Sequence, residues 1–209
     1  MGTLNGSSLS SITFDKASDE HDDQYDMSIN VLCKGSPNLK KLSFTEPDAD
    51  SFTDAAVQSI VQHRPHMEVL SFKDWDGITD ESLTCLIRLP RLKEIDLSRC
   101  FQLSSDGVQE LLEANRALEA LMLSDFDRMG DEEEGPYSLI NDALLRCIGA
   151  NCPNLIKLHL CLDSYAADSD VTSESFEAAL EGLPALEELA VSGYIEYNTT
   201  LNLIVSYLL

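Results

Sequence analysis

The sequence predicts an α/β solenoid: a curved parallel sheet along the concave side, helices along the convex side, and about seven repeats in one domain over residues 1–209. Three observations predict it. Apolar residues recur at positions 0, +3 and +5 in short stretches spread along the chain. Between these stretches lie blocks that open like helix N-termini and continue with apolar residues about three apart. Prolines stand two residues ahead of most of the apolar stretches.

The strand comes first. "LKEIDL" from Leu92 has counterparts in "LSSITF" from Leu9, "LKKLSF" from Leu39, "MEVLSF" from Met67, "LEALML" from Leu118, "LIKLHL" from Leu155 and "LEELAV" from Leu186. Their starts lie 30, 28, 25, 26, 37 and 31 residues apart, and Pro37, Pro65, Pro90, Pro153 and Pro184 precede five of them. The spacing fits neither strict alternation nor a helical stripe. It makes sense when repeats stack: one repeat cannot bury its apolar side, but neighbours together make a continuous core. Leu92, Ile95 and Leu97 then point inward, while Lys93, Glu94 and Asp96 face out or flank. Cys100 falls where the chain leaves the strand, and a small, weakly polar side chain fits against the turn there.

The helix is the second element. "FTDAAVQSI" (52–60), "ITDESLTCL" (78–86), "LSSDGVQEL" (103–111), "INDALLRCI" (140–148) and "VTSESFEAA" (171–179) are variants of one block. Each opens with an apolar residue followed by Thr, Ser or Asn, whose side chains accept from the free backbone N–H groups of a helix start. Apolar pairs such as Leu83 with Leu86 and Val108 with Leu111 supply one buried stripe. The unit is a strand, a loop, a helix and a return.

"LSRCFQLSSDGVQELLEANRALEALML" and "NCPNLIKLHL" resemble the cysteine-containing leucine-rich repeat of about 26 residues. The resemblance covers nearly the whole chain and implies a leucine-rich-repeat solenoid. The chain departs from that pattern at an acidic loop (15–26) and two inserts, "DRMGDEEEGPYS" (127–138) and "DSYAADSD" (163–170).

Composition narrows the function. Lys and Arg number 14 against 37 Asp and Glu, a formal net charge of −23. Such a surface repels phosphate backbones and anionic lipid, so the expectation is no nucleic-acid and no membrane partner. No export signal is visible at the N-terminus, and six cysteines then read as reduced thiols of the cytoplasm or nucleus. The apolar end, "TLNLIVSYLL", is either a helix packed on the last strand or part of an open end that associates with a partner.

A ligand belongs on the outward strand positions, which form three rows at +2, +4 and +6. The rows hold Lys41, Lys73 and Lys157 against Asp15, Glu94, Asp96 and Glu188, so the surplus of acid lies elsewhere. The candidate protein-binding residues on this concave face are Lys41, Val69, Ser71, Lys73, Glu94, Asp96, Ala120, Met122, Lys157 and His159. Val69, Ala120, Met122 and His159 form a modestly apolar centre suited to a few anchors of a protein surface. At the strand exits Trp75, Phe101, Phe126, Tyr165 and Tyr194 either plug the core beneath the turn or offer a contact rim.

Catalytic and metal chemistry is hard to find. No nucleophile elbow, phosphate-binding loop or zinc-protease motif occurs. Cys147, Cys152, His159 and Cys161 cluster in sequence, but an extended strand separates the last cysteines by up to roughly 30 Å, too far for one tetrahedral zinc. The expectation is no enzyme, no metal and no cofactor.

The resemblance implies more. Cysteine-containing leucine-rich repeats are similar, above all, to the recognition part of F-box ubiquitin-ligase receptors, and no F-box-like segment precedes Leu9. The expectation is a non-catalytic protein-interaction module, in substrate recognition or as an F-box-less scaffold. The alternative is an acidic chaperone that binds basic proteins through its outer surface.

Overall fold

The computed structural model describes residues 8–15, 25–45, 52–124, 139–162 and 171–193. The strands are β1 (Ser11–Asp15), β2 (Lys41–Thr45), β3 (Val69–Ser71), β4 (Glu94–Asp96), β5 (Ala120–Ser124), β6 (Lys157–Leu162) and β7 (Glu188–Gly193). Between them lie the helices α1 (Tyr25–Gly35), α2 (Asp54–His63), α3 (Asp80–Leu86), α4 (Ser105–Ala114), α5 (Asp142–Asn151) and α6 (Ser173–Glu181). The seven strands form one parallel sheet in chain order. The expected solenoid is the observed one. Packing runs between consecutive strands and consecutive helices.

The strand spacing has a backbone cause. At each entry two successive N–H groups donate to one carbonyl of the preceding repeat: Lys93 and Glu94 to Glu68 (2.8 and 3.1 Å), Glu119 and Ala120 to Lys93 (2.6 and 2.9 Å). The same sharing occurs at Lys40, Glu68, Ile156 and Glu187, each with the residue that follows. This is the bonding of a β-bulge, in which two residues oppose one and alternation slips by one place. Leu92 and Ile95 therefore face the same way although three residues apart, and both are buried. Alternation then resumes to Leu97.

The prolines also acquire a role. Leu39, Met67, Leu92, Leu155 and Leu186 each donate N–H to the residue three before, closing a turn whose second residue is Pro37, Pro65, Pro90, Pro153 or Pro184. Proline's fixed φ suits that place. Leu118 closes the same turn with Arg116 in the proline position.

The caps do more than start helices. Thr53, Thr79, Ser104, Asn141 and Thr172 each accept from an N–H of their own first turn. A carboxylate at the start of the preceding helix also binds most of them. Asp26 accepts from the Thr53 N–H (3.0 Å) and hydroxyl (2.5 Å), and Asp54 from the Thr79 N–H and hydroxyl (both 2.9 Å). Asp80 accepts from Ser104 (2.9 and 2.6 Å), and Asp142 from the Thr172 N–H (2.6 Å). Between α4 and α5 the polarity reverses, where the Ser105 hydroxyl donates to the Asn141 side chain (3.2 Å). The acidic loop expected over 15–26 is thus shorter. Asp15 closes β1 and Asp26 belongs to α1, while 16–24 lie outside the described residues. So do the inserts 127–138 and 163–170 and the apolar end at 201–209.

At the C-terminal end the helices approach backbone to backbone. A Cβ on Gly149 would lie 2.7 Å from the Ala178 carbonyl oxygen, and one on Gly182 would overlap Gly149 itself.

Two outcomes follow from this packing. Gly149→Ala should lower the denaturant midpoint: overpacking costs about 1–3 kcal/mol, against a helix-propensity gain of about 1 kcal/mol. The second concerns Asp142. Burial raises its pKa, but hydrogen bonding from Ser175 and Thr172, with Arg146 nearby, outweighs that and lowers it below the ordinary 3.8. A depressed folded pKa makes the carboxylate's stabilisation complete above the unfolded value and lost as pH falls through the folded one. Asp142→Asn should therefore lower Tm at neutral pH, and thermal melts should show its deficit narrowing below about pH 4.

Candidate functional site

The ladder register reproduces two of the outward rows. Ser11, Lys41, Val69, Glu94, Ala120, Lys157 and Glu188 are successive partners, as are Thr13, Ser43, Ser71, Asp96, Met122, His159 and Ala190. The third row is paired at both ends, Asp15 with Thr45 and Ser124 with Cys161 and Ser192. Strand alternation puts the described side chains of the first two rows opposite the helices.

A hollow of about 290 Å³ lies among them, from Lys73 beyond β3 to Ala190 and Ser192 on β7. Asp96, Met122, His159 and Cys161 also line it. Val69, Ser71 and Met122 are half-buried and Lys41 and Lys73 exposed. Ala120 is a correction. It is only 4% exposed, because its methyl group sits in register between the longer Glu94 and Lys157. Its row therefore offers the neighbours' side chains and not its own.

The charges form an ordered pattern that a list of residue types does not reveal. Glu188 binds Lys157 Nζ (3.0 Å) and His159 Nε2 (2.7 Å) with its two oxygens. The hydrogen bond from Lys157, then that from His159, lowers the Glu188 pKa, and the Glu188 bond raises that of Lys157. Asp96 accepts from the Ser98 N–H (3.0 Å) and the Ser71 hydroxyl (3.4 Å). Among the described residues Lys41 and Lys73 make no ion pair. The face is thus positive at β2–β3, negative at β4 through Glu94 and Asp96, and internally balanced at β6–β7.

The strand-exit edge separates the two alternatives. Trp75 is no rim: it is 1% exposed, stacked on Phe52 at 4.2 Å and packed edge-on to Phe44 and Phe72. Asp74 (φ 66°) and Arg99 (φ 61°) precede Trp75 and Cys100 in the left-handed region. There they turn the chain so that the next side chain enters the core. Their side chains pair at 2.6 Å, and Arg99 lies 6.0 Å from the centroid of the half-buried Phe101 ring. Phe126, Tyr165 and Tyr194 lie outside the described residues. Among the described residues the exposed large apolar side chains, Leu9, Phe14, Met27 and Val31, all belong to the first repeat.

Cys100 is buried, and its thiol donates to the Phe72 carbonyl of the preceding repeat (3.0 Å). That contact is the reason for a cysteine at the strand exit. The fold is a leucine-rich-repeat solenoid. Among curated proteins it is 27% identical over 184 residues to an F-box/LRR-repeat protein of Arabidopsis thaliana. That match covers 83% of this chain, which spans 37% of the relative's length. Among solved structures the solenoid is similar to a chain of the yeast Rad7 and Elc1 complex (TM-score 0.56, 21% identity, 79% of this chain and 44% of that one). It is also similar to the leucine-rich-repeat protein LegL7 of Legionella pneumophila (TM-score 0.52, 12% identity, 87% and 58%). No family model matches.

Among the described residues no group of three His, Cys, Asp or Glu side chains is placed to hold a metal ion. The thiols differ instead in access. Burial pushes Cys33 up to about 11 and Cys152 up to about 12, and raises Cys100 and Cys147 as well. Cys85 and Cys161 are half-buried. Alkylation of the native protein at neutral pH, read by mass spectrometry, should label Cys85 and Cys161 first and the other four only after denaturation.

Proposed function

We propose that the solenoid is a non-catalytic protein-recognition module that holds its partner on the concave face. In this reading it selects substrates or acts as a scaffold in a ubiquitin-ligase-type pathway of the cytoplasm or nucleus. The observation that carries the concave reading is the hollow spanning β3 to β7, lined by Met122, His159 and Cys161 on a face of near-neutral charge. Its polar rows suit reversible contact, and Met122 supplies an apolar anchor of the kind that carries binding energy. The similarity to an F-box/LRR-repeat protein supports the pathway.

A second reading rests on the location of the charge. The acid surplus lies off the concave rows, so the outer surface is suited to a basic protein. Salt separates the two, because contacts between exposed charges fade as ionic strength rises.

The test is a capture experiment at low and high salt with the wild-type chain and with Val69→Glu and Met122→Glu. Both positions are half-buried and outward, so circular dichroism should show each variant folded. A partner retained at high salt should be lost from both variants, by at least about tenfold in affinity for a buried carboxylate left unpaired. Retention by both folded variants would sink the concave reading. Loss of everything at high salt would favour the outer surface.

A further inference from the structure

The order of charges across the concave face says what shape of partner fits it. Two lysines without ion pairs among the described residues, Lys41 on β2 and Lys73 just beyond β3, come first; Glu94 and Asp96 mark β4; Met122 opens the hollow at β5 and β6. Lys157 is paired with Glu188, which also bonds His159, so the last strands present a paired charge and a small apolar floor.

Neighbouring strands lie about 4.8 Å apart, and alternate residues of an extended chain about 6.8 Å apart. Each step between same-facing side chains of a peptide laid across the sheet therefore crosses about 1.4 strands. A residue placed between β2 and β3 is followed by one over β4, and that by one between β5 and β6. These are the places where the face changes from cationic to anionic to apolar.

We propose that the concave face reads an extended segment of a protein partner with alternate residues acidic, basic and apolar, in that order from β2 to β6. This rests on the concave reading above and specifies its ligand. The acid lies between Lys41 in the first row and Lys73 in the third, whose backbones stand about 13 Å apart along the strands, the base meets Glu94 with Asp96 behind it, and the apolar side chain enters the hollow against Met122. Opposite charges in this register favour one partner, and exchanged charges repel it.

The probes are two fluorescent peptides with the core Asp-Ser-Lys-Ser-Leu or its reverse, Leu-Ser-Lys-Ser-Asp, since either chain direction presents the same face. The control exchanges the acid and the base in each. In anisotropy titrations at low salt, one matched peptide should bind about tenfold or more tightly than its exchanged control. Lys73→Glu should weaken that preference, and the double variant Lys73→Glu with Glu94→Lys should abolish it, because Lys41 and Asp96 then cancel the two substituted charges. Both substituted positions are surface-facing, and a thermal melt checks that each variant folds. Equal binding of matched and exchanged peptides overturns the proposal, as does no binding by either matched peptide up to about 1 mM. If Met122→Glu abolishes capture of a partner while the charge variants leave that capture unchanged, this register falls and the concave reading stands. If Met122→Glu leaves capture intact, both fall.

Discussion

At every strand entry two amide N–H groups converge on one carbonyl of the repeat before, and the rest of the molecule follows from that shared acceptor. It makes the chain slip one place, so that residues three apart both turn inward. It also sets the register of the next strand, because Glu68, Lys93 and Glu119 each tie down the two residues that open the following entry. With the register fixed, every outward side chain has a defined neighbour on the next repeat. The concave rows exist because this one bond pattern is repeated without drift.

The convex side is joined by a second device of different chemistry. A carboxylate at one helix start accepts from both the backbone and the hydroxyl of the next cap, so one Asp satisfies a helix end that it does not belong to. The charge also stands near the positive end of the next helix, where the macrodipole favours it. Where α4 carries Ser105 instead, the next cap is Asn141, whose side-chain oxygen accepts from both Ser105 and the Leu144 N–H. The change of donor and the change of cap therefore match. Sheet and helices are linked by separate bonds along the same axis.

Much of this was legible in the spacing. Leu92, Ile95 and Leu97 with their counterparts identify the inward residues, and the positions between them name the concave rows. What could not be read is whatever depends on the neighbouring repeat. A Thr-Asp pair advertises a helix start, but nothing local shows that Asp54 serves Thr79. Trp75 is a contact residue by type, yet Phe44 and Phe52 from the preceding repeat and Phe72 from its own close around it. Ala120 counts as outward by position, and only its longer neighbours hide it. Glu188 binds both Lys157 and His159 through cross-strand geometry, which turns a scatter of charges into an ordered one. Alternation carries the first kind of information and register the second.

Trp75 is the one tryptophan of the chain, and it sits among Phe44, Phe52 and Phe72 at the N-terminal side of the sheet. An array packed only between neighbours has no contact that carries the state of α6 to that cluster directly. Indole emission is consequently a local gauge. It registers the loosening of the repeats around β2 to α3, and is silent when the far end of the array frays, whereas far-ultraviolet ellipticity sums over every helix. The distance between those two signals is a direct measure of how far the solenoid behaves as one cooperative body.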